Sequence, residues 1–173
     1  DWSETLQAVA IDLKRRSHQR SLEGVSAGLG EDQERLLLRE RVGRGALLLQ
    51  SRLAEKAKAI FSEILAVRPN HVEANLLLGL AEKALQRPAE AEAAISRAIQ
   101  LEPLFAEAYN PRGALFLETG RPQDALPDFR RALELHPGFP DALSNLGSAF
   151  AAVRQFAEAI ECYQRAIAGF SGF

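Results

Sequence analysis

The chain is poor in the residues that would tie it to a cofactor or a covalent framework: among 173 residues there are one cysteine, three histidines, one tryptophan and no methionine. A lone cysteine, Cys162, excludes an internal disulfide. His18, His71 and His136 stand far apart, and none has a second histidine or a cysteine at metal-ligand spacing, so no metal or other cofactor is expected. Charge of one sign is not in excess either, with 21 Lys+Arg against 23 Asp+Glu, and 47% of the residues are hydrophobic. That balance excludes a disordered chain and a strongly basic nucleic-acid binder. No run approaches the ~18 consecutive apolar residues of a membrane span. Asp1 and Trp2 open no signal peptide; the missing methionine points to a trimmed start, and a cytoplasmic location is the expectation, with a removed leader left open.

What the sequence does have is a period. Gly45, Gly79, Gly113 and Gly147 are 34 residues apart, and Ala57, Ala91, Ala125 and Ala159 follow them by 12 each time. Further columns read Phe61, Ile95, Phe129, Tyr163, then Ile64, Ala98, Ala132, Ala166, then Pro69, Pro103, Pro137, Ser171. A fixed period of this size marks a repeat architecture in which stacked units supply one another's core. Within the third copy, Ala106, Tyr109, Gly113 and Phe116 recur at three- and four-residue steps, as do Ala125, Phe129 and Ala132. Each set is one apolar stripe of a helix. Pro88 and Pro122 fall where a second helix should begin, since the first turn does not need their N–H. Asn70 with Glu73 has the spacing of a capping box and predicts Asn70 as a helix cap. The glycine and alanine columns predict close helix approach, so that enlarging Ala125 should destabilise the array.

These columns resemble the tetratricopeptide repeat (TPR) family, whose unit is a pair of antiparallel helices. The resemblance implies an all-α fold, an α-solenoid: a right-handed superhelix of antiparallel helix pairs, with four units at 38–71, 72–105, 106–139 and 140–173. Residues 1–37 do not continue the pattern, since Ile11 and Glu23 occupy the glycine and alanine places. They read as an N-terminal helical extension. Trp2, Leu6, Val9 and Leu13 share one face of a helix expected from Ser3 to about His18, with Ser3 as cap, placed to cover the first repeat. Residues 21–30, with three glycines, read as a loop. A further helix is expected to start near Asp32 and to run into repeat one.

Catalytic chemistry finds little support. His136 reads as a solvated helix end and Cys162 as a small structural thiol. The glycines at 24, 28 and 30 lack both the G-x-G-x-x-G order and a following Gly-Lys-Ser/Thr, so they read as a connector. Lys14, Arg15, Arg16, His18 and Arg20 form a basic run that suits a helix C-terminus better than nucleic acid, because cations complement the helix dipole. No enzyme is expected.

In the TPR family the first helices of successive units line a concave groove. The second, fifth, ninth, twelfth and thirteenth places carried over are Arg39, Val42, Ala46, Leu49 and Gln50 in repeat one, and Glu73, Leu76, Leu80, Lys83 and Ala84 in repeat two. Repeat three supplies Glu107, Asn110, Ala114, Leu117 and Glu118; repeat four supplies Asp141, Ser144, Ser148, Ala151 and Ala152. From these, Arg39, Leu49, Leu76, Leu80, Lys83, Asn110, Ala114, Leu117, Ser144 and Ser148 are the candidate partner-binding residues. The lysine-asparagine clamp with which some relatives hold a chaperone's C-terminal carboxylate is absent: its places hold Val42, Ala46, Leu77, Glu107 and Pro111. Of the asparagine ladder of sugar-transferring relatives only Asn145 is present.

The resemblance therefore implies a non-catalytic scaffold for a protein or peptide partner, with neither nucleic acid nor membrane span. The competing reading is the substrate-recruiting TPR segment of a larger enzyme, of glycosyl- or sulfotransferase type. A further expectation concerns the C-terminal edge, where Ala166, Ile167, Ala168 and Phe170 make an apolar end: either the array continues past Phe173 or this edge assembles, self-association included.

Overall fold

The computed structural model describes residues 31–170, so the helix expected at 3–18, the loop at 21–30 and the basic run at 14–20 lie outside the described residues. Contacts divide the chain into two units, 1–40 and 41–173. Of the first, 31–40 is described and is helical and mostly exposed. Among the described residues there are eight helices: α1 (Glu31–Gln50), α2 (Ala54–Val67), α3 (Val72–Ala84), α4 (Pro88–Leu101), α5 (Ala106–Glu118), α6 (Pro122–Leu135), α7 (Pro140–Ala152) and α8 (Phe156–Phe170). The expected helix near Asp32 is α1, and it does run on into repeat one.

Helix ends follow the period as strictly as the core does. Each first helix stops in the same two-bond turn, with Leu53, Arg87, Arg121 and Gln155 donating N–H to the carbonyls of Leu48, Glu82, Phe116 and Phe150 at 2.8–2.9 Å. A second bond runs from the residue just before each of these, Arg52, Gln86, Gly120 and Arg154, which has a positive φ of 58, 60, 75 and 67°. This is the Schellman ending, which needs a left-handed residue just past the helix. Pro88 and Pro122 start α4 and α6 as expected, and Pro140 starts α7 in the same way. The α3 cap differs from expectation. His71 caps it, its Nδ1 accepting from the N–H of Ala74 at 3.1 Å, while the Asn70 side chain accepts from Arg97 at 2.7 Å. A long-range donor has taken the carboxamide that local spacing assigned to the helix end.

The glycine column works by docking one helix backbone against a large side chain of the next. A Cβ at Gly45, Gly113 or Gly147 would lie 2.5, 2.7 or 2.8 Å from the ring of Phe61, Phe129 or Tyr163, and one at Gly79 would collide with Ile95. No side chain fits there. Ala57, Ala91 and Ala125 are fully buried beside this contact, and so are Phe61, Ile95 and Phe129. One cluster, around Leu76, Ile95, Ile99 and Tyr109, joins repeats two and three. A second, around Phe116, Phe129, Leu146 and Phe150, joins repeats three and four. The turn between repeats is pinned through the closing proline: Asn75 Nδ2 donates to the Pro69 carbonyl at 3.1 Å, and Tyr109 Oη, at the same place one repeat on, donates to Pro103 at 2.8 Å.

Candidate functional site

Which side of the array is concave can be read from its neighbours. The first helices of consecutive repeats touch one another, α3 on α5 and α5 on α7, whereas among the described residues the second helices α4, α6 and α8 do not. Helices that converge line the inner side. The inner face is therefore built by α3, α5 and α7.

On this face the ten candidates separate. Ser144 and Ser148 are exposed, and Leu49, Leu80, Lys83, Asn110, Ala114 and Leu117 are partly exposed. Leu76 is 6% exposed and belongs to the core shared by repeats two and three, so it offers a partner almost nothing. Leu80 is packed on the edge of the same core, and Ala114 and Leu117 on the next. Arg39 is exposed but belongs to the unit 1–40.

Lys83 and Asn110 are already engaged across repeats, and Ser148 within its own. Lys83 Nζ lies 2.8 Å from Glu118 Oε1, and Asn145 Nδ2 donates to Asn110 Oδ1 at 2.9 Å. Both links tie neighbouring first helices together along the inner face. Ser148 Oγ is 3.1 Å from Tyr163 Oη and 3.1 Å from the Ser144 carbonyl. A partner that hydrogen-bonds here shares these groups instead of finding them free, which lowers the cost of leaving them unfilled. Exposed carboxylates of Glu73, Glu107 and Asp141, at the second place of repeats two, three and four, put negative charge along the rim.

Sequence reasoning missed the buried charges. Asp128 and Glu82 are each 5% exposed. Arg112 straddles the Asp128 carboxylate with two bonds of 2.7 Å and reaches Ser96 Oγ at 3.2 Å. The hydrogen-bonded carboxylate raises the guanidinium's pKa further. Glu82 lies 2.8 Å from Lys58 and 3.5 Å from Arg87. The repeat alignment carried the signal for Glu82, which stands in the column of Leu48, Phe116 and Phe150; Arg112 shares its column with Leu78 and Leu146 but also with Arg44.

The remaining reactive groups have structural settings. Cys162 is buried, which pushes its thiol pKa up, the opposite of what a nucleophile needs. His136 follows α6, exposed, with its ring 5.8 Å from that of Phe139. No group of three or more His, Cys, Asp and Glu is arranged to hold a metal among the described residues. Nor is any described helix long and apolar enough to cross a membrane. A depression of about 490 Å³ is lined by residues 120–124 and 152–154, and its Arg121 is already paired with Glu92 and Asp124.

An array of antiparallel helix pairs, joined by docking of a glycine on a large apolar side chain and repeated every 34 residues, defines a helical solenoid. The profile of the tetratricopeptide repeat family matches residues 42–104 and 110–172, and the chain belongs to that family. Among solved structures it is similar to a crystal structure of MamA, at 22% identity over 78% of each chain with a TM-score of 0.71. It is also similar to MamA 41-end from Desulfovibrio magneticus RS-1, at 22% identity over 76% of this chain and 75% of that one, TM-score 0.69. These likenesses concern the fold. A search of curated proteins finds no match.

Proposed function

We propose that this chain is a non-catalytic protein-interaction scaffold that binds a partner peptide or helix along the inner face, over Asn110, Ala114, Leu117, Ser144 and Ser148. The TPR array supports a scaffold, and the observation that carries the binding face is the mutual contact of α3, α5 and α7. That contact makes one continuous strip out of three repeats. Its surface is partly apolar at Leu80, Ala114 and Leu117 and hydroxylated at Ser144 and Ser148, under a rim of Glu73, Glu107 and Asp141. The chemistry that fits is an amphipathic segment with small apolar side chains toward the strip and basic residues toward the rim.

The test is selection of a displayed peptide library on the immobilised chain. Peptides combining basic and apolar residues should be enriched, and Ala114→Trp should abolish their binding while leaving the helical circular dichroism unchanged. Their affinity should fall with added salt, because the rim charges are exposed. Enriched peptides that bind Ala114→Trp as well as the parent would move the site elsewhere.

A further inference from the structure

The outward face of α8 differs from the same face of the other second helices. Phe156, Ile160 and Ile167 are 59%, 57% and 66% exposed. At 100° per residue these three fall within about 40° of one another, so they form a single line along the helix. Beside the line, Ala157 and Ala168 are exposed, with Gln164 the one polar neighbour. One repeat earlier the line reads Pro122, Leu126, Leu133, and its neighbours read Gln123, Arg130 and Glu134. Leu126 and Leu133 are packed on the core that α6 shares with α7 and α8. The line is thus the face through which one repeat meets the next. On α8 it is present in full, and two of the polar residues that flank it on α6 are replaced by alanine.

A helix that docks on such a face must be apolar at the matching places, and among the described residues two surfaces are set against each other for that role. The face of α1 is one. It exposes Leu47, but at the places of Leu143 and Leu146, both buried in repeat four, it carries Arg41 and Arg44, both exposed. Docking it on α8 would bury two guanidinium groups against Phe156 and Ile160, a large desolvation cost. The α8 face of a second copy is the other. Antiparallel pairing about an axis between Glu161 and Cys162 sets Phe156 opposite Ile167 and Ile160 opposite Tyr163, apolar on apolar throughout. The alanines beside the line let the two helices approach. This self-complementarity is what a two-fold interface requires.

We propose that the chain self-associates as a weak two-fold dimer through the outward face of α8, with a second copy as the occupant. The area sets the strength. Exposures of 59%, 57% and 66% leave on the order of 300 Å² of large apolar side chain per copy, well under the ~800 Å² per partner of a standard stable interface. A concentration-dependent dimer is expected, not an obligate one. It leaves the inner face of α3, α5 and α7 open, so it stands or falls separately from partner binding there.

Sedimentation velocity of the 173-residue chain over a hundredfold range of concentration tests this. The sedimentation coefficient should rise toward that of a dimer and stop there. Ile160→Asp should stay monomeric at every concentration with unchanged circular dichroism. In a Cys162→Ser background, Phe156→Cys with Ile167→Cys should give a disulfide-linked dimer on oxidation, whereas Glu158→Cys with Arg165→Cys, on the opposite side of the helix, should not. A parent that is monomeric throughout, growth beyond a dimer, a dimer that survives Ile160→Asp, or equal cross-linking by both cysteine pairs would each overturn the proposal.

Discussion

Two junctions of this array solve one packing problem with different chemistry. Between repeats three and four the contact is apolar, built on Phe116, Leu146 and Phe150. In repeat two the place of those two phenylalanines is held by Glu82, buried, within 2.8 Å of Lys58, and with Oε2 lacking a hydrogen-bond partner. The same contrast recurs inside the helix pairs. Repeat three joins its helices through Arg112 and Asp128, where repeat two has Leu78 and Ala94 and repeat four has Leu146 and Cys162. The helix-pair frame is common to these versions, because it is set by the docking of a glycine on a large apolar side chain, a ring in repeats one, three and four and Ile95 in repeat two. Core places outside that contact accept either an apolar pair or a charged pair, provided that both members are present. Each repeat therefore serves as the control for another.

The sharpest way to break the comparison is to remove one member of a buried pair. Asp128→Ala should leave Arg112 with its charge against the core and no carboxylate, and should destabilise by about 3–5 kcal/mol in urea unfolding. Adding Arg112→Leu installs the pair that repeat two already uses, Leu78 with Ala94, and should recover most of the loss. If the double substitution is no better than the single one, the frame is not as independent of these places as the alignment implies. A smaller effect, of opposite sign, is expected at the charged junction. Glu82→Leu removes a buried carboxylate whose Oε2 accepts no hydrogen bond and has only the 3.5 Å ion pair with Arg87, and Lys58 and Arg87, both partly exposed, can carry their charges out to water. Replacing a buried ion by an apolar residue is often stabilising, here by about 1–2 kcal/mol. Native-state hydrogen exchange in α2 and α3 should slow accordingly, and faster exchange would show that Glu82 holds the junction together.

How much of this the sequence made legible depends on whether the cause of a feature is periodic. The glycine, alanine and large-residue columns announce the helix pairs, because the same backbone contact must be made in every unit. The proline starts are legible for the same reason. Asn70 was misread because its partner, Arg97, is 27 residues away and invisible to local spacing. Leu76 was assigned to the groove by its place in the unit, yet its exposure is decided by how tightly α3 meets the following repeat, which buries it. Arg112 and Asp128 look like ordinary surface charges until the helices are paired. Reading each column for its exception would have located Glu82, the acid in a column of Leu48, Phe116 and Phe150, but not Arg112, whose column also holds the exposed Arg44.

The third way to sharpen the comparison uses the turn between the helices of a pair, where only one unit has the residue the geometry favours. Gly120 has φ 75°, and Gln86 and Arg154 hold φ 60° and 67° with a side chain attached. For an L-residue this left-handed conformation costs roughly 1–2 kcal/mol, because Cβ crowds the following carbonyl. Gln86 is exposed, so little contact is lost by cutting it back. Gln86→Gly should thus relieve the strain, offset in part by the larger freedom of glycine in the unfolded chain, for a net gain of about 0.5–1 kcal/mol. Gly120→Gln is the reverse experiment and should lose a similar amount. For a chain of this size a change of about 1 kcal/mol moves the melting temperature by roughly 2–4 °C, which calorimetry resolves. Opposite shifts in the two variants would establish that turn strain, not side-chain contact, separates repeat three from its neighbours; destabilisation by both would assign the Gln86 side chain a role in the turn.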